Sequence, residues 1–466
     1  MIPQQAFTLI VKIKAGHTKT VKDILAKIHQ ETGEIRQGRS PENPLVPFQD
    51  CKTIHFARWF VMDNLKDTTG QPFQDMLGFT SNYDGDAAAH YNELSKHLGK
   101  GFDELYQHTE GYPESPTEQS RVNFFKKQNI QPRLFWGAMR GYTVADIRDE
   151  GKLRDGVEQW LRKEVKQEDW EKLSPTEARD RIVNFVKSSE FSWAMKPVPG
   201  PSLGWKIKYW GKLVIIFLIA ILLAVSLIMG LKGIITGKLA LFWKVTAAIS
   251  WAVVIWFGIW LLLERMFEII DDYIRERTPE PVDDEERYRE LLELEDYFFQ
   301  NQLTVYGTIK KPYWFRRTTL KIALYLFLLN GTYRSTKGKL AGIPTIHFAR
   351  WIIFNNQKNV MFLSNYNGNW ENYLSQFIEQ SASAMNVTFG QMVGYPQIKW
   401  FLGGGAHDEQ KFKKVVRQNQ YPSQVYYSAY PDLTVRNVLN NSYFRKGLIA
   451  KMKDDEARKD WLSRVY

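Results

Sequence analysis

Histidine and arginine recur at fixed places in this chain. The seven residues TIHFARW at 53–59 occur again, letter for letter, at 345–351. Each copy pairs a His with an Arg three residues on: His55 with Arg58, His347 with Arg350. Imidazole changes charge near neutral pH, so His55 or His347 could act as an acid or base. A guanidinium is a planar fork, so Arg58 and Arg350 could hold a carboxylate or phosphate bidentately. The plainer accounts are a hydrogen-bonded structural histidine and a buried structural ion pair. No carboxylate stands at motif spacing from either histidine.

A second set follows each heptad. Ser81-Asn82-Tyr83 recurs as Ser364-Asn365-Tyr366, with Asp84-Gly85 after the first and Asn367-Gly368 after the second. Asn, Asp and Gly favour turns and helix N-caps in their own right, which is the structural reading of both. The run GGGAHD at 403–408 could cradle an anion at a helix N-terminus. No Lys-Ser/Thr follows, so it is no P-loop. A tight turn into a helix capped by Asp408 accounts for it as well. His407, beside Asp408, is a further candidate ligand. His-Glu-x-x-His and Cys-x-x-Cys pairs are missing, which argues against structural zinc.

The elements that must position these residues are themselves duplicated. Gly111-Tyr112-Pro113 recurs as Gly394-Tyr395-Pro396 at the same distance from each SNY, and Thr143-Val144 recurs as Thr434-Val435. Markers in one order at similar spacing indicate an internal repeat. In the first copy, 7–13 reads as a strand, and 20–32 carries Val21, Ile24, Leu25 and Ile28 at helical spacing. The heptad strand continues to about Met62, and 75–83 reads as a third strand. A helix at 86–107, a fourth strand at 133–139 and a helix from Thr143 follow. The second copy repeats the order at 303–309, 316–329, 345–355, 359–366, 370–384 and 424–428. The segment 399–402 and a helix from Asp408 are additions. The order β-α-β-β-α-β is that of a ferredoxin-like module. The first copy carries extra residues at 63–74, where a hairpin tip tolerates insertion.

Alternate residues of a strand face opposite ways. Thr53, His55, Ala57 and Trp59 should therefore share one face, and Ile54, Phe56, Arg58 and Phe60 the other. The same holds for His347 and Trp351 against Phe348 and Arg350. The Ile/Phe face suits a covering layer of helices, with its Arg near the rim or paired with an acid. The His/Trp faces would then look into a space between two sheets. The fold class expected is α+β: two ferredoxin-like modules forming a pseudo-dimeric α+β barrel, plus a two-helix transmembrane hairpin.

On these features the chain resembles the dimeric α+β barrel superfamily, which includes dye-decolourising peroxidases and chlorite dismutases. The peroxidases carry a GxxDG motif. Here Ser81-Asn82-Tyr83-Asp84-Gly85 has Ser for the first Gly, and Asn367 replaces the Asp in the second copy. The resemblance implies haem as a cofactor, with His55 or His347 as the iron ligand. The heptad and SNY pattern also resemble an uncharacterised group of bacterial membrane proteins with paired modules.

Residues 213–231 are uncharged between Lys212 and Lys232, and 245–263 are uncharged between Lys244 and Glu264. Each run approaches the roughly 20 residues that cross a bilayer as a helix. The alternative is a pair of buried core helices. Trp205, Tyr209, Trp210, Trp243 and Trp260 sit where an interfacial aromatic belt would. Lys206, Lys208 and Lys212 precede the hairpin and Arg265, Arg275 and Arg277 follow it, with only Lys232 and Lys238 in its loop. This bias places both termini in the cytoplasm, at the inner membrane. No basic segment ahead of an apolar core marks a cleavable signal. Cys51 is the only cysteine, so no intramolecular disulfide is possible. The net charge of +11 fits attraction to an anionic leaflet. Without a nucleic-acid-binding motif it does not argue for nucleic acid as a partner.

The domains expected are a first module at 1–165, a helical linker at 166–205, the hairpin at 206–266 with spans at about 213–231 and 241–263, an acidic helical connector at 267–300, and a second module at 301–466. A Pro/Gly linker at 197–201 leads into the membrane. The segment KKPYWFRR at 310–317 mixes bases with aromatics ahead of an apolar run too short to span. It fits an interfacial helix, or the first core helix of the second module. Two functions follow. One is a membrane-anchored binding or scaffold protein that holds a hydrophobic or lipid ligand between its modules and assembles as a homo-oligomer or with a membrane-complex partner. The other is a haem-dependent, peroxidase-like oxidoreductase acting on lipid-derived substrates. The ligand-binding candidates are His55, Arg58, Trp59, Asn82, Tyr83, Asp84, His347, Arg350, Trp351, Asn365, Tyr366 and His407; no catalytic residue and no metal ligand is assigned.

Overall fold

A computed structural model of the chain describes every residue except 1, 38, 40, 66–72, 165–169, 171, 199, 201, 276–283, 297, 336–337 and 465–466. The insertion at 63–74, the linker at 197–201, the boundary at 165–166 and the connector at 267–300 lie partly outside the described residues, and Arg277 lies outside them. The protein is a mixed α+β fold with antiparallel sheets and two long apolar helices. One unit comprises Ile2–Val198, Val282–Pro396 and Gly405–Tyr466; the other comprises Pro199–Pro281 and Gln397–Gly404.

The larger unit begins with β1 (Gln4–Lys12), α1 (Thr18–Arg36), β2 (Ile54–Met62) and β3 (Met76–Asp84). Helices α2 (Ala87–His97), α3 (Gly99–Tyr106) and α4 (Glu118–Gln128), strand β4 (Leu134–Gly137), α5 (Val144–Glu164) and α6 (Pro175–Ser188) follow. Local chemistry sets the boundaries. Gly85 takes φ +93° and Gly368 φ +89°, a conformation that costs little only without a Cβ, and this explains the Gly that closes each SNY turn. Asp86 caps α2 by accepting from the Ala88 and Ala89 N–H groups, and Ser174 and Glu177 form a capping box on α6. The single helix expected at 86–107 is broken at Leu98, ahead of Gly99. Helix α4 was not foreseen; its sequence buries only Phe124 and Phe125, so it shows little apolar periodicity.

The smaller unit carries α7 (Leu203–Thr236) and α8 (Leu241–Arg275). The larger resumes with α9 (Glu285–Leu294), β5 (Gln300–Thr308), α10 (Tyr313–Tyr333), β6 (Ile346–Phe354), β7 (Asn359–Asn367) and α11 (Trp370–Phe389). A short hairpin of β8 (Ile398–Lys399) and β9 (Gly403–Gly404) belongs to the smaller unit. The chain ends with α12 (Glu409–Gln418), β10 (Val425–Ser428), α13 (Val435–Ile449) and α14 (Asp455–Leu462).

Two four-stranded sheets result, ordered β1-β3-β2-β10 and β4-β6-β7-β5. Each is completed by a strand from the other copy. β10 lies antiparallel to β2, with Val425 opposite Trp59, and β4 lies antiparallel to β6, with Leu134 opposite Trp351. The residues leading into each fourth strand first touch their own copy: Ile130 N–H bonds Thr8 O at 2.8 Å, and Tyr421 N–H bonds Thr304 O at 2.9 Å. The chain then crosses to the other sheet. The expected modules at 1–165 and 301–466 therefore share their sheets rather than standing alone.

The face assignment made from simple alternation is overturned by one residue in each heptad. The register of β2 against β3 shifts between Ile54 and Phe56, and that of β6 against β7 between Ile346 and Phe348. A bulge inserts an extra residue and puts two successive side chains on one side. His55 and Phe56 thus point together into the space between the sheets, and Ala57 and Trp59 turn to the helices. Trp59 packs on Phe79 at 4.4 Å and on Phe102 at 5.3 Å, in a core with Val21, Leu25 and Ile28 of α1. Trp351 behaves alike against Phe362 and Phe389. Arg58, Phe60 and Met62 face inward, and Phe60 and Met62 join Ile352, Phe354, Met361 and Leu363. Gly78 is required there, because a Cβ would lie 2.2 Å from the Phe60 ring.

In the smaller unit, α7 and α8 contain the apolar runs at 213–231 and 245–263. Only 11 % of each apolar window is buried, so these are not core helices of a soluble unit. They meet each other where Gly230 faces Ala247; a Cβ on Gly230 would lie 2.8 Å from that of Ala247. Small residues of this kind let helix backbones approach closely. Gly230→Leu is expected to force the two helices apart, read as a loss of cross-linking between thiols placed on α7 and α8.

Candidate functional site

The space between the sheets is ordered along β2 by its inward residues. Phe56 lies at one end with Phe348, Val144, Ile147 and Tyr430. Phe60 and Met62 lie at the other. Arg58 is between them. Arg58 and Arg350 are each 2 % exposed. Arg58 Nη1 donates to Leu303 O at 3.0 Å and Thr304 Oγ1 at 3.1 Å, and Nη2 to Ser364 O at 2.8 Å. Arg350 makes the matching set. Its Nη1 donates to Phe7 O at 2.7 Å and Thr8 Oγ1 at 3.0 Å, and its Nη2 to Ser81 O at 2.9 Å and to Asn82 Oδ1. Asn82 Nδ2 in turn donates to Asn365 Oδ1 at 2.9 Å.

Neither guanidinium pairs with an acid among the described residues, so the rim or ion-pair placement expected for Arg58 and Arg350 is corrected. Each reaches across to two strands of the other copy and holds their carbonyls. Burial draws Arg58 down to about 10; burial and the neighbouring Arg58 charge draw Arg350 down to about 9. Both remain charged at neutral pH. The donors that could have gripped a carboxylate or phosphate are spent on the protein's own backbone.

His55 is fully buried and held at both ends. Nε2 lies 2.8 Å from Asp84 Oδ1 and Nδ1 lies 2.9 Å from Tyr430 Oη. Asp84 Oδ2 accepts the Val144 N–H at 2.8 Å, at the start of α5. In the neutral ring, one tautomer lets Nε2 donate to Asp84 while Nδ1 accepts from Tyr430. Burial and the Asp84 charge hold the Tyr430 hydroxyl well above its ordinary range, so it stays protonated and donates. The carboxylate missing at motif spacing is supplied by strand pairing. Tyr430→Phe is expected to leave Nδ1 without its donor and to cost about 1–3 kcal/mol of stability, measured by urea denaturation.

The second copy departs at two points. Asn367 replaces Asp84, still accepting the Val435 N–H at 2.8 Å. Met139 stands where Tyr430 stands in the repeat (GAMRGYTV at 137–144 against SAYPDLTV at 428–435). His347 Nε2 meets no hydrogen-bond partner, although Asn367 is near enough to favour the charged ring. The ring packs 5.1 Å from Phe56 and 6.1 Å from Tyr430. Burial pulls His347 down to about 3. It is neutral at any physiological pH.

Of the twelve candidates, His55, Arg58, Asn82, Asp84, His347, Arg350 and Asn365 are brought into this inner space. Trp59, Tyr83, Trp351 and Tyr366 are not. Tyr83 stacks on His90 at 3.7 Å and Tyr366 on Tyr373 at 3.8 Å, both under helices. His407 is exposed in the turn Gly405–His407, away from the others. Reasoning from the sequence missed Tyr430, Thr8 and Thr304, although the repeat alignment marks Tyr430 against Met139. It also missed His90, whose Nε2 lies 2.8 Å from Ser81 Oγ and whose Nδ1 lies 3.8 Å from Glu93 Oε2. Ser, His and Glu in that order resemble a nucleophilic triad. Ser81 is fully buried, however, and in the second copy Tyr373 Oη donates to Ser364 Oγ at 2.7 Å in place of the histidine. A role that Tyr fills equally well is that of a bond fastening the helix to the sheet.

The same conclusion holds for the inner space. Apart from His347 Nε2, the polar groups described above bond to the protein itself, the ends are filled by aromatic and aliphatic side chains, and the two copies agree in framework bonds while differing at the proton-bearing positions. Among the described residues, no three His, Cys, Asp or Glu side chains group as metal ligands. Comparison with known proteins adds no assignment to this geometry: the chain matches no family model and no curated protein.

Proposed function

We propose that the protein is a membrane-anchored cytoplasmic scaffold or binding protein, built as two ferredoxin-like modules in a pseudo-dimeric α+β barrel on a transmembrane hairpin. The observation that carries the reading is the pair of helices α7 and α8, apolar over spanning length and exposed along it. At 1.5 Å per residue, each is about 50 Å long, against a hydrocarbon thickness of about 30 Å. The barrel reading rests on the exchanged strands and on the matching arginine bonds from each copy to the other. Orientation rests on Lys206, Lys212 and Arg265 outside the spans against Lys232 and Lys238 in the loop.

The inner space is occupied by the protein's own side chains, which favours a binding surface on the outside over one between the modules. Helices α1 and α10 are counterparts in the repeat. The outward residues of α1 include Lys19, Asp23, Lys27 and Gln30. Those of α10 include Trp314, Ile322, Tyr325 and Leu326. One module presents charge where the other presents apolar surface, and such a patch fits a lipid or protein partner. Carbonate extraction of membranes is expected to leave the chain in the pellet. Purification in mild detergent is expected to recover an oligomer, a bound partner or bound lipid. A bare monomer without lipid would count against the reading. Tyr325→Glu with Leu326→Glu is expected to abolish the association while leaving the circular dichroism spectrum unchanged.

The haem-dependent reading has a narrower basis: His347 Nε2 is unoccupied. His55 would have to give up Asp84 or Tyr430 to ligate iron. Addition of haem to the purified protein is expected to leave the broad Soret absorption of free haem unshifted. A shifted, sharpened band that is lost in His347→Ala would transfer the proposal to a haem oxidoreductase.

A further inference from the structure

The smaller unit holds a segment with no place in the hairpin expected from sequence. Residues Gln397–Gly404, with the sequence QIKWFLGG, form the β8-β9 hairpin and are fastened to the last turns of α8. Glu268 of α8 grips the tip through backbone groups. Its Oε2 accepts the Trp400 N–H at 3.0 Å and its Oε1 the Phe401 N–H at 3.2 Å, and Arg265 Nη1 bonds the same carboxylate at 2.8 Å. One turn further on, Asp272 Oδ2 accepts from Gln397 Nε2 at 2.6 Å. The Glu268 side chain is 1 % exposed, so the clamp is shielded from water.

The clamp holds the tip in an unfavourable shape. Trp400 has φ +53° and Phe401 φ +61°, where bulky residues are rarely found. Gly404 has no room for a Cβ, which would lie 2.3 Å from Gln397 O. Backbone strain persists where the surroundings over-determine it. Its result is outward display: Trp400 is 49 % exposed and Leu402 66 % exposed.

The depth of this tip follows from helix geometry. The uncharged run of α8 ends at Leu263. Glu268 is five residues on, about 7.5 Å along the axis. The interfacial layer outside the hydrocarbon is roughly 5–7.5 Å thick on each side. The clamp therefore stands at the outer edge of the headgroup layer. The hairpin base is at Asp272 and its tip at Glu268, nearer the hydrocarbon, so the tip is directed into the layer where Trp residues concentrate because an apolar ring and an N–H suit that boundary. We propose that the 397–404 hairpin is a third membrane-contacting element, with Trp400 and Leu402 seated in the interfacial layer of the bilayer that α7 and α8 cross. The occupant of this apolar tip is lipid, by continuity with the spans. Lys399, exposed on the same hairpin, is placed to meet headgroup phosphate. The inference rests on the membrane reading above.

Environment-sensitive fluorophores on single introduced thiols test it in the full chain; the native thiol, Cys51, is buried. Leu402→Cys and, separately, Val254→Cys are labelled and placed in nanodiscs of phosphatidylcholine and phosphatidylglycerol. The label at 402 is expected to be quenched by a nitroxide near the acyl carbonyls and shielded from aqueous iodide. The label at 254 is expected to be quenched by a nitroxide deep in the acyl chain. If 254 is quenched by lipid while 402 answers only to iodide, the hairpin proposal is overturned and the membrane reading stands. If 254 answers to no lipid nitroxide, the membrane reading itself fails. Adding Glu268→Ala is expected to remove most of the lipid quenching at 402 and leave 254 unchanged. Persistence of that quenching would overturn the clamp.

Discussion

Replacing Arg350 by Met is expected to be among the most destabilising single changes in the chain. The guanidinium bonds Phe7 O and Ser81 O in a space closed to water. Phe7 and Ser81 face each other in the β1–β3 ladder, so their carbonyls keep a strand partner. Removal of the guanidinium takes a charge-assisted bond from each, about 1.5–3 kcal/mol apiece, and a loss of roughly 3–6 kcal/mol is expected. Exchanging a buried ion pair for apolar residues is often harmless, because both charges leave together. Here the acceptors are main-chain groups and cannot leave. Arg350→Lys should recover little, since an ammonium cannot reach two strands with a fixed fork. Arg58→Met should behave alike through Leu303 O and Ser364 O. Urea denaturation in detergent, followed by near-ultraviolet circular dichroism, gives the measurement. A loss below about 1 kcal/mol for either variant would show that these bonds do not hold the sheets together.

The second large effect is a pH dependence that one histidine imposes. His347 is neutral in the fold, with its affinity for protons drawn down to about 3 by burial. An unfolded histidine titrates near 6.5. Between those values the unfolded chain binds a proton that the folded chain refuses, so stability falls as pH falls. The contribution is level above about pH 6.5 and declines by about 1.4 kcal/mol per pH unit below it, on the order of 2 kcal/mol by pH 5. His347→Asn removes the titrating group. Its denaturation midpoints should fall less between pH 7 and pH 5 than those of the parent. Parallel pH profiles for the two proteins would refute the assignment.

The order of strands and helices was legible because the chain repeats itself. The heptad, the SNY turn and the Thr-Val helix start each located an element twice, and the uncharged runs located α7 and α8 by length alone. What could not be read was the face of each heptad residue beyond the bulge. Alternation is a strict rule only while the register holds, and the extra residue at His55 inverts everything after it. Trp59 and Arg58 changed places for that reason. The pairing of β10 with β2 was equally hidden. Both copies offer the same TIHFARW edge, so pattern does not tell a fourth strand which copy to join. Asp84 and His55 sit 29 residues apart and meet only through the β2–β3 pairing. Tyr430 arrives from 375 residues away by the strand exchange.

That exchange sets an order of events during synthesis. The edge of β2 is made early, yet the strand that covers it, Val425–Ser428, emerges only near the end of the chain. At about 5–20 residues per second, the interval is on the order of tens of seconds. Throughout it a sheet edge rich in Ile, Phe and Trp stands uncovered, the kind of surface that pairs with neighbours. Within the same interval α7 and α8 leave the ribosome. If α7 and α8 insert as proposed, a nascent chain tethered by them is kept apart from others in solution, and insertion would protect the first half until β10 closes it.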